Sequence, residues 1–452
     1  MASNVRRVLL CSSIALNALC AGGMFTFPLI SPVLAAHCKL SQPQLTTIIL
    51  AGMMSQYTIA ALVGSVIDRY GPGVCSLISA LSFSSGFGGF AFEVYRNPDA
   101  LPESATALFY RFTFFFLLVG LGSVFGYFSA LFAASKSFPN YGGVASGTSL
   151  AFFGLSPLCF SVIASAFFTD SAGALNVTHY MGFIALLTTF VYTLGFINMQ
   201  AVPPSSDNFT HVEFNNHEGH REEERPLLPP KRAVDPTVPE LLQKTDFWLI
   251  ALVCVLILGV CEMIISNIVL PNSATASQVN LISIANTISR ISVGPLADFI
   301  SPVAAYLPTG AQISPRKHIV SRFAFLSGSA TLLVFTFTWM VYGVRNQGDI
   351  WVLSVGTGLS YSAVFTILPS LISSLWGMQN MARNFGFMMY APFIGTPVFS
   401  YMYAFISASH AQPGEMCTGR SCWQLTFYFA IGTSIIALFA SFTLWSRWRG
   451  RI

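Results

Sequence analysis

Two charged residues sit where charge is expensive. Arg290 and Glu262 each fall well inside a long apolar run. An ionisable side chain at that depth faces a bundle interior or a watery path rather than lipid. A guanidinium presents five N–H donors in a planar fork that matches a carboxylate. A carboxyl group in apolar surroundings can take up a proton and give it back. Asn286 stands one helical turn before the arginine, and the spacing 290, 294, 298 sets Arg290, Gly294 and Asp298 along one helix face. Each charge also has a structural reading. Arg290 can be tied to an internal carboxylate or to carbonyl oxygens, and Glu262 can be neutral and hydrogen-bonded to a neighbouring helix. Asn17 and Asn267 are amides in similar settings, able to line a cavity or to join helices.

A second set of residues occurs twice. Gly64-Ser65-Val66-Ile67-Asp68-Arg69-Tyr70-Gly71-Pro72-Gly73 ends one apolar run, and Gly294-Pro295-Leu296-Ala297-Asp298 ends another. Both read Gly-x-x-x-Asp. Gly64 would let a neighbouring helix come close. Asp68 can accept hydrogen bonds from the amides of a helix N-terminus, Arg69 can pair with a carboxylate, and Gly71 opens the turn to the next run. Contacts of this kind hold one side of a molecule shut in one state and break in another. Gly147 to Pro157 and Gly386 to Pro397 form a weaker echo of the same repeat.

These residues must be carried by elements that lipid permits. Of the 452 residues, 54% are hydrophobic and 9% charged, against roughly 25% charged in a soluble domain. That balance excludes a soluble globular enzyme. Twelve apolar runs can be drawn, at roughly 8–30, 45–67, 74–95, 105–132, 142–169, 179–202, 246–270, 278–299, 319–342, 350–375, 384–408 and 423–446. Each is long enough to span as a helix, and none alternates as a barrel strand does. Residues 203–245 are polar and rich in Pro, Glu, Arg, His and Asn, which predicts a flexible linker. The expected organisation is a six-helix bundle over 1–202, a cytosolic linker over 203–245 and a second bundle over 246–452. Placing the N-terminus in the cytosol puts most of the 22 Lys and Arg on the cytosolic side. Two halves with matching elements point to a transporter.

Other functions find little support. No Gly-x-x-x-x-Gly-Lys-Ser/Thr loop is present to bind ATP phosphates. The seven His fall in loops or at run ends, and Glu262 is the one central carboxylate, so an intramembrane enzyme has no catalytic pair. No CxxC or Cys/His cluster predicts a metal site, and no basic patch predicts nucleic-acid binding.

The Asp68-Arg69-Tyr70-Gly71-Pro72-Gly73 stretch, its position and its second copy resemble the loop 2–3 signature of the major facilitator superfamily. Asn17 to Gly23, Phe27 to Pro32, Phe153-Gly154-Leu155-Ser156, Asp246-Phe247-Trp248 and Gly259-Val260-Cys261-Glu262 resemble the fungal monocarboxylate-transporter-homologue proteins, near the nodulin-like branch. The similarity runs over essentially the whole chain. It implies an all-α membrane protein of the major facilitator fold, with 12 transmembrane helices in two pseudo-symmetric bundles that rock by alternating access. It also implies a small organic anion as substrate, a monocarboxylate by the family name, held by Arg290; from the residues themselves, Asn286 and Asn17 are further candidates for the substrate site, and Glu262, the one central carboxylate, is the candidate proton-coupling group. Gly64, Asp68, Arg69, Gly71, Gly294 and Asp298 would form the conformational gate. Two departures stand out: the acidic-Gly pattern of true monocarboxylate transporters in the first helix is absent, and Asn286 stands where they carry Asp. The alternative reading is a transport-inactive relative serving as a membrane sensor or scaffold. Neither reading calls for a cofactor, and a monomer in the bilayer suffices.

Three local features remain. Glu223 followed by Leu227-Leu228 matches an acidic dileucine sorting signal, which an adaptor would bind. With the resemblance it favours a vacuolar, lysosome-like membrane, the plasma membrane being the alternative. Asn176-Val177-Thr178 is a glycosylation sequon on the non-cytosolic side. Cys417 and Cys422 share the last non-cytosolic loop, as a small disulfide loop or as two thiols.

Overall fold

In hydrocarbon each run must satisfy its own backbone, so the runs become helices and their side chains decide how they pack. The computed structural model of the chain describes residues 2–97, 102–137, 142–170, 174–199, 238–268, 274–301, 305–306, 312–313, 320–376, 381–411, 417 and 419–448. The first bundle comprises α1 (Ala2–Cys20), α2 (Phe27–Cys38), α3 (Gln42–Tyr70), α4 (Pro72–Arg96), α5 (Pro102–Ser137), α6 (Gly142–Phe167) and α7 (Val177–Met199). A short α8 (Val238–Leu242) precedes the second bundle: α9 (Thr245–Asn267), α10 (Ala274–Ile300), α11 (Phe323–Tyr342), α12 (Trp351–Trp376), α13 (Met381–Met388), α14 (Tyr390–His410) and α15 (Gln424–Trp448). α1 with α2, and α13 with α14, each make one crossing, giving twelve in all. A two-residue antiparallel pair, β1 (Ala305–Tyr306) with β2 (Gln312–Ile313), lies between α10 and α11. The chain ends share one face of the bundle, called the terminal face below, and the opposite one is the far face.

The sequence boundaries need three corrections. The first crossing runs over Ala2–Cys38 rather than 8–30, and it is broken by a 3-10 turn at Gly23–Thr26, with Gly22 as its N-cap. A Cβ on Gly22 would sit 2.8 Å from Cβ of Ser156, so the break lets the backbone approach α6. The eleventh crossing is likewise interrupted, at Met389, between α13 and α14. The end of the stretch expected as linker is helical: Leu241 of α8 is buried, and Trp248 Nε1 donates to Leu242 O at 2.7 Å.

Among the described residues, nine spans are long and apolar enough to cross a membrane by length and composition alone. The other three crossings are α3, α10 and α14. They carry hydroxyl and amide side chains, and they form the seam between the bundles, α10 packing along α6 and α14 against α3. Away from the seam the first bundle is held by phenylalanine. Phe27, Phe83, Phe87, Phe90, Phe112 and Phe116 are all buried, and Phe90 and Phe112 rings lie 4.4 Å apart. Such pairs add about 0.5–1.5 kcal/mol each beyond burial. In the second bundle α9 and α14 meet backbone to backbone: a Cβ on Gly259 would lie 2.6 Å from the carbonyl carbon of Gly395. Ion pairs fasten the edges, Glu93 of α4 to Arg111 of α5 at 2.9 Å and Asp246 of α9 to Arg447 of α15 at 3.2 Å.

Candidate functional site

Glu262 is on α9, three residues after the Gly259 contact, and is fully buried. Three hydroxyl groups converge on its carboxylate. Tyr57 of α3 donates a very short hydrogen bond to Oε1, Tyr361 of α12 donates to the same oxygen at 3.1 Å, and Thr396 of α14 donates to Oε2 at 2.6 Å. Thr396 reaches it because its neighbour Gly395 lets α14 touch α9. Tyr57 comes from the other bundle, so this carboxylate is bonded across the seam.

Arg290 of α10 is also buried and also crosses the seam. Its Nε donates to Asn286 Oδ1 at 2.9 Å, within the same helix. Its Nη1 donates to Leu150 O of α6 at 2.8 Å, and its guanidinium stands 5.6 Å from the Phe153 ring centre. Gly154 makes the approach feasible, since a Cβ there would meet Arg290 Cδ and Asn286 Cγ at 3.6 Å. One turn on, Pro157 removes a donor from the α6 ladder. Ser283 of α10 enters beside it, donating to Gly154 O at 2.6 Å and accepting from Leu158 N at 3.2 Å. A side chain inserted into a helix ladder in this way marks a bend.

A cavity lies between the two charges. Phe25, Phe153 and Pro157 form its wall on the first bundle; Ile265, Val279, Ile282, Ser283, Asn286 and Tyr361 form the other. It is about 30 Å³, room for about two waters. Glu262 and Arg290 do not form an ion pair: Tyr361 bonds the carboxylate, Asn286 bonds the guanidinium, and both face the cavity between them. Towards the far face the seam is closed by side chains. Thr46 and Gln42 of α3 donate to Asn267 Oδ1 at 3.1 and 3.3 Å, and the Thr47 and Tyr401 hydroxyls lie 2.8 Å apart.

The other sequence candidates are distributed as follows. Asn17 is a correction: it lies inside the first bundle, where Nδ2 donates to Ser76 Oγ at 2.8 Å and its carbonyl accepts from Tyr192 at 2.8 Å, so it joins α1 to α4 and α7 away from the cavity. A Cβ on Gly64 would meet nothing within 4 Å among the described residues, so the close helix contact expected there is not made in this conformation. The exposed Arg69 guanidinium stacks 5.4 Å from the Tyr70 ring centre. Gly71 has φ 82° and makes the turn into α4. Gly294 faces Thr366 of α12, 3.5 Å from where its Cβ would be. Asp68 and Asp298 lie near the terminal-face ends of α3 and α10, and their side chains fall outside the described set. Glu223, Leu227 and Leu228 also lie outside the described residues. Cys417 and Cys422 form a disulfide. Asn176 is exposed and caps α7, accepting from His179 N at 3.1 Å. Sequence reading did not single out Tyr57, Tyr361, Thr396 or Ser283.

A profile described as "Major Facilitator Superfamily" matches residues 12–400. The chain belongs to this superfamily. It is similar to the "Probable transporter MCH1" of Gibberella zeae, 26% identical over 98% of this chain and 90% of that one, and to the protein of the same title from Saccharomyces cerevisiae, 22% identical over 95% and 91%. Among solved structures, a point mutant of the nucleoside transporter NupG matches with a TM-score of 0.61 and 12% identity, over 96% of this chain and 99% of that one. At that identity the likeness bears on the fold alone. The protein is therefore a major facilitator transporter, a multi-pass membrane protein that acts on small molecules and is not an enzyme.

Proposed function

We propose that the transporter moves a small organic anion, a monocarboxylate best fitting the site, by alternating access with a proton as the coupling ion. The observation that carries this reading is that both interior charges reach across the seam, Arg290 to Leu150 O and Glu262 from Tyr57. A ligand or a proton arriving at either place changes a bond between the bundles. Asn286 fixes the guanidinium through Nε, which leaves Nη2 for a substrate carboxylate. A carboxylate accepts about twice as strong a hydrogen bond as a neutral group, so a proton on Glu262 weakens its hold on Tyr57. Residues 1–202 and 246–452 act as the two rocking bodies, joined by the linker 203–245. Gly64, Asp68, Arg69 and Gly71, with Gly294 and Asp298, gate the terminal face, which is cytosolic. The transporter works as a monomer in a vacuolar membrane, sorted there through Glu223, Leu227 and Leu228, with Asn176 glycosylated on the lumenal side.

The test is lactate and 4-methylpentanoate uptake into sealed vesicles holding the purified protein, with and without a pH gradient. Arg290→Ala is expected to stop gradient-driven uptake. Glu262→Gln is expected to keep anion exchange and lose the response to the gradient. Unchanged flux in the first variant removes Arg290 from the substrate site, and an undiminished gradient response in the second removes Glu262 from coupling. A wild-type protein that carries neither anion would favour the sensor or scaffold reading.

A further inference from the structure

The polar groups around the cavity are committed apart from the Asn286 amide nitrogen. Ser283 Oγ both donates and accepts within α6, the Tyr361 hydroxyl is given to Glu262, and Asn286 Oδ1 holds Arg290. What remains open to a ligand is one polar end, the Asn286 amide nitrogen beside the Arg290 guanidinium that Asn286 holds, and two apolar walls, Phe25 and Phe153 on the first bundle, Ile265, Val279 and Ile282 on the second. A ligand hydroxyl or second carboxylate placed against those walls would lose its water without gaining a partner, and burial of an unpaired polar or charged group is costly. An alkyl tail there would gain from its own desolvation. We infer that the substrate is a carboxylate with a single charge and an unhydroxylated apolar tail, the carboxylate held at Arg290 and the tail between the Phe25–Phe153 wall and the Val279–Ile282 wall. Acids hydroxylated along the tail and dicarboxylates are the classes that the site rejects. Because the walls belong to opposite bundles, the tail is gripped only when the bundles close on it, and the present 30 Å³ is the space left once they have closed without it. This inference rests on the anion reading above and narrows it.

The experiment is calorimetric titration of the purified full-length protein in lipid nanodiscs at pH 7.5 with 4-methylpentanoate, lactate and succinate. The expected result is 4-methylpentanoate binding at least about tenfold more tightly than lactate, the order of discrimination that an apolar pocket gains from as little as one extra methylene, with no measurable binding of succinate. Val279→Thr, which keeps the side chain's shape and adds a hydroxyl to the wall, is expected to shrink the 4-methylpentanoate-to-lactate ratio at least about threefold. Lactate or succinate binding as tightly as 4-methylpentanoate overturns the inference and leaves the anion reading standing. A preference untouched by Val279→Thr also overturns it, since the tail then lies elsewhere. Binding of none of the three by folded protein overturns the anion reading itself.

Discussion

The two lines along which the bundles meet are built differently. Where α10 crosses α6, side chains bond main-chain atoms: Arg290 to Leu150 O, Ser283 to Gly154 O and from Leu158 N, Ser161 to Ala276 O. Where α3 meets α9 and α14, side chains bond side chains: Gln42 and Thr46 with Asn267, Thr47 with Tyr401, Tyr57 with Glu262. A main-chain acceptor is fixed in its helix, so the first kind of contact keeps one point of each helix against the other. A side-chain pair can be undone by a rotamer change or a proton with the helices still in place. The α6–α10 line is suited to act as a pivot and the α3–α9–α14 line as a clasp.

The strongest way to break the clasp is through its frame. Gly259→Val sets a branched side chain where the nearest atoms are Gly395 backbone, which cannot yield. Overpacking of this kind costs about 1–3 kcal/mol, sometimes more. The variant should unfold at a clearly lower temperature in thermal melts, and α14 should move Thr396 off Glu262. Gly432→Ala on α15, where a Cβ meets nothing within 4 Å, should leave the melting temperature unchanged or slightly higher. A melt of Gly259→Val that matches wild type would mean that α9 and α14 do not touch as described.

Tyr57→Phe tests the clasp itself. It removes the one donor to Glu262 that comes from the first bundle, and a hydrogen bond to a charged group is worth about 1.5–3 kcal/mol. Spin labels at the exposed Tyr95 and Leu425, near the far-face ends of α4 and α15, report the separation of the bundles there. The variant should shift the population towards longer distances by about tenfold. A distribution identical to wild type would show that the Tyr57–Glu262 bond does not hold the bundles together. Thr47→Val removes a neutral hydroxyl pair, worth about 1 kcal/mol. The same labels should show a shift of a few-fold in the same direction.

How legible these parts were depends on what each run had to do. Runs that only span, such as α4, α7 and α15, announce themselves by apolarity. The seam helices α3, α10 and α14 read as apolar runs like the rest, and the repeat of Gly-x-x-x-Asp set the first two apart. Glu262 and Arg290 stood out because charge is rare at membrane depth. Their partners did not. A tyrosine or threonine in an apolar run carries no signal of its own, and Tyr57, Tyr361 and Thr396 meet Glu262 from three separate helices. The family stretches Gly22–Gly23, Phe153–Ser156 and Gly259–Glu262 did mark real junctions, since Gly22 meets Ser156 and Gly259 meets Gly395. Asn17 was read both as a cavity residue and as a link between helices, because residue type alone does not say which bundle face a side chain occupies, and it is the link.

Ser283→Ala has the smallest expected effect and discriminates best between the two lines. It withdraws a hydroxyl from the α6 ladder at Pro157, leaving Leu158 N and Gly154 O to re-form their own bond or to take water. Either relaxation limits the loss to about 1 kcal/mol, seen as a lower melting temperature of a few degrees or less. Arg290 still anchors α10 to Leu150 O, so the contact point survives. The Tyr95–Leu425 distances should therefore stay as in wild type while Tyr57→Phe moves them. If Ser283→Ala widens the far face as much as Tyr57→Phe does, the main-chain bonds of α6 are holding the bundles shut, and the division into pivot and clasp is wrong.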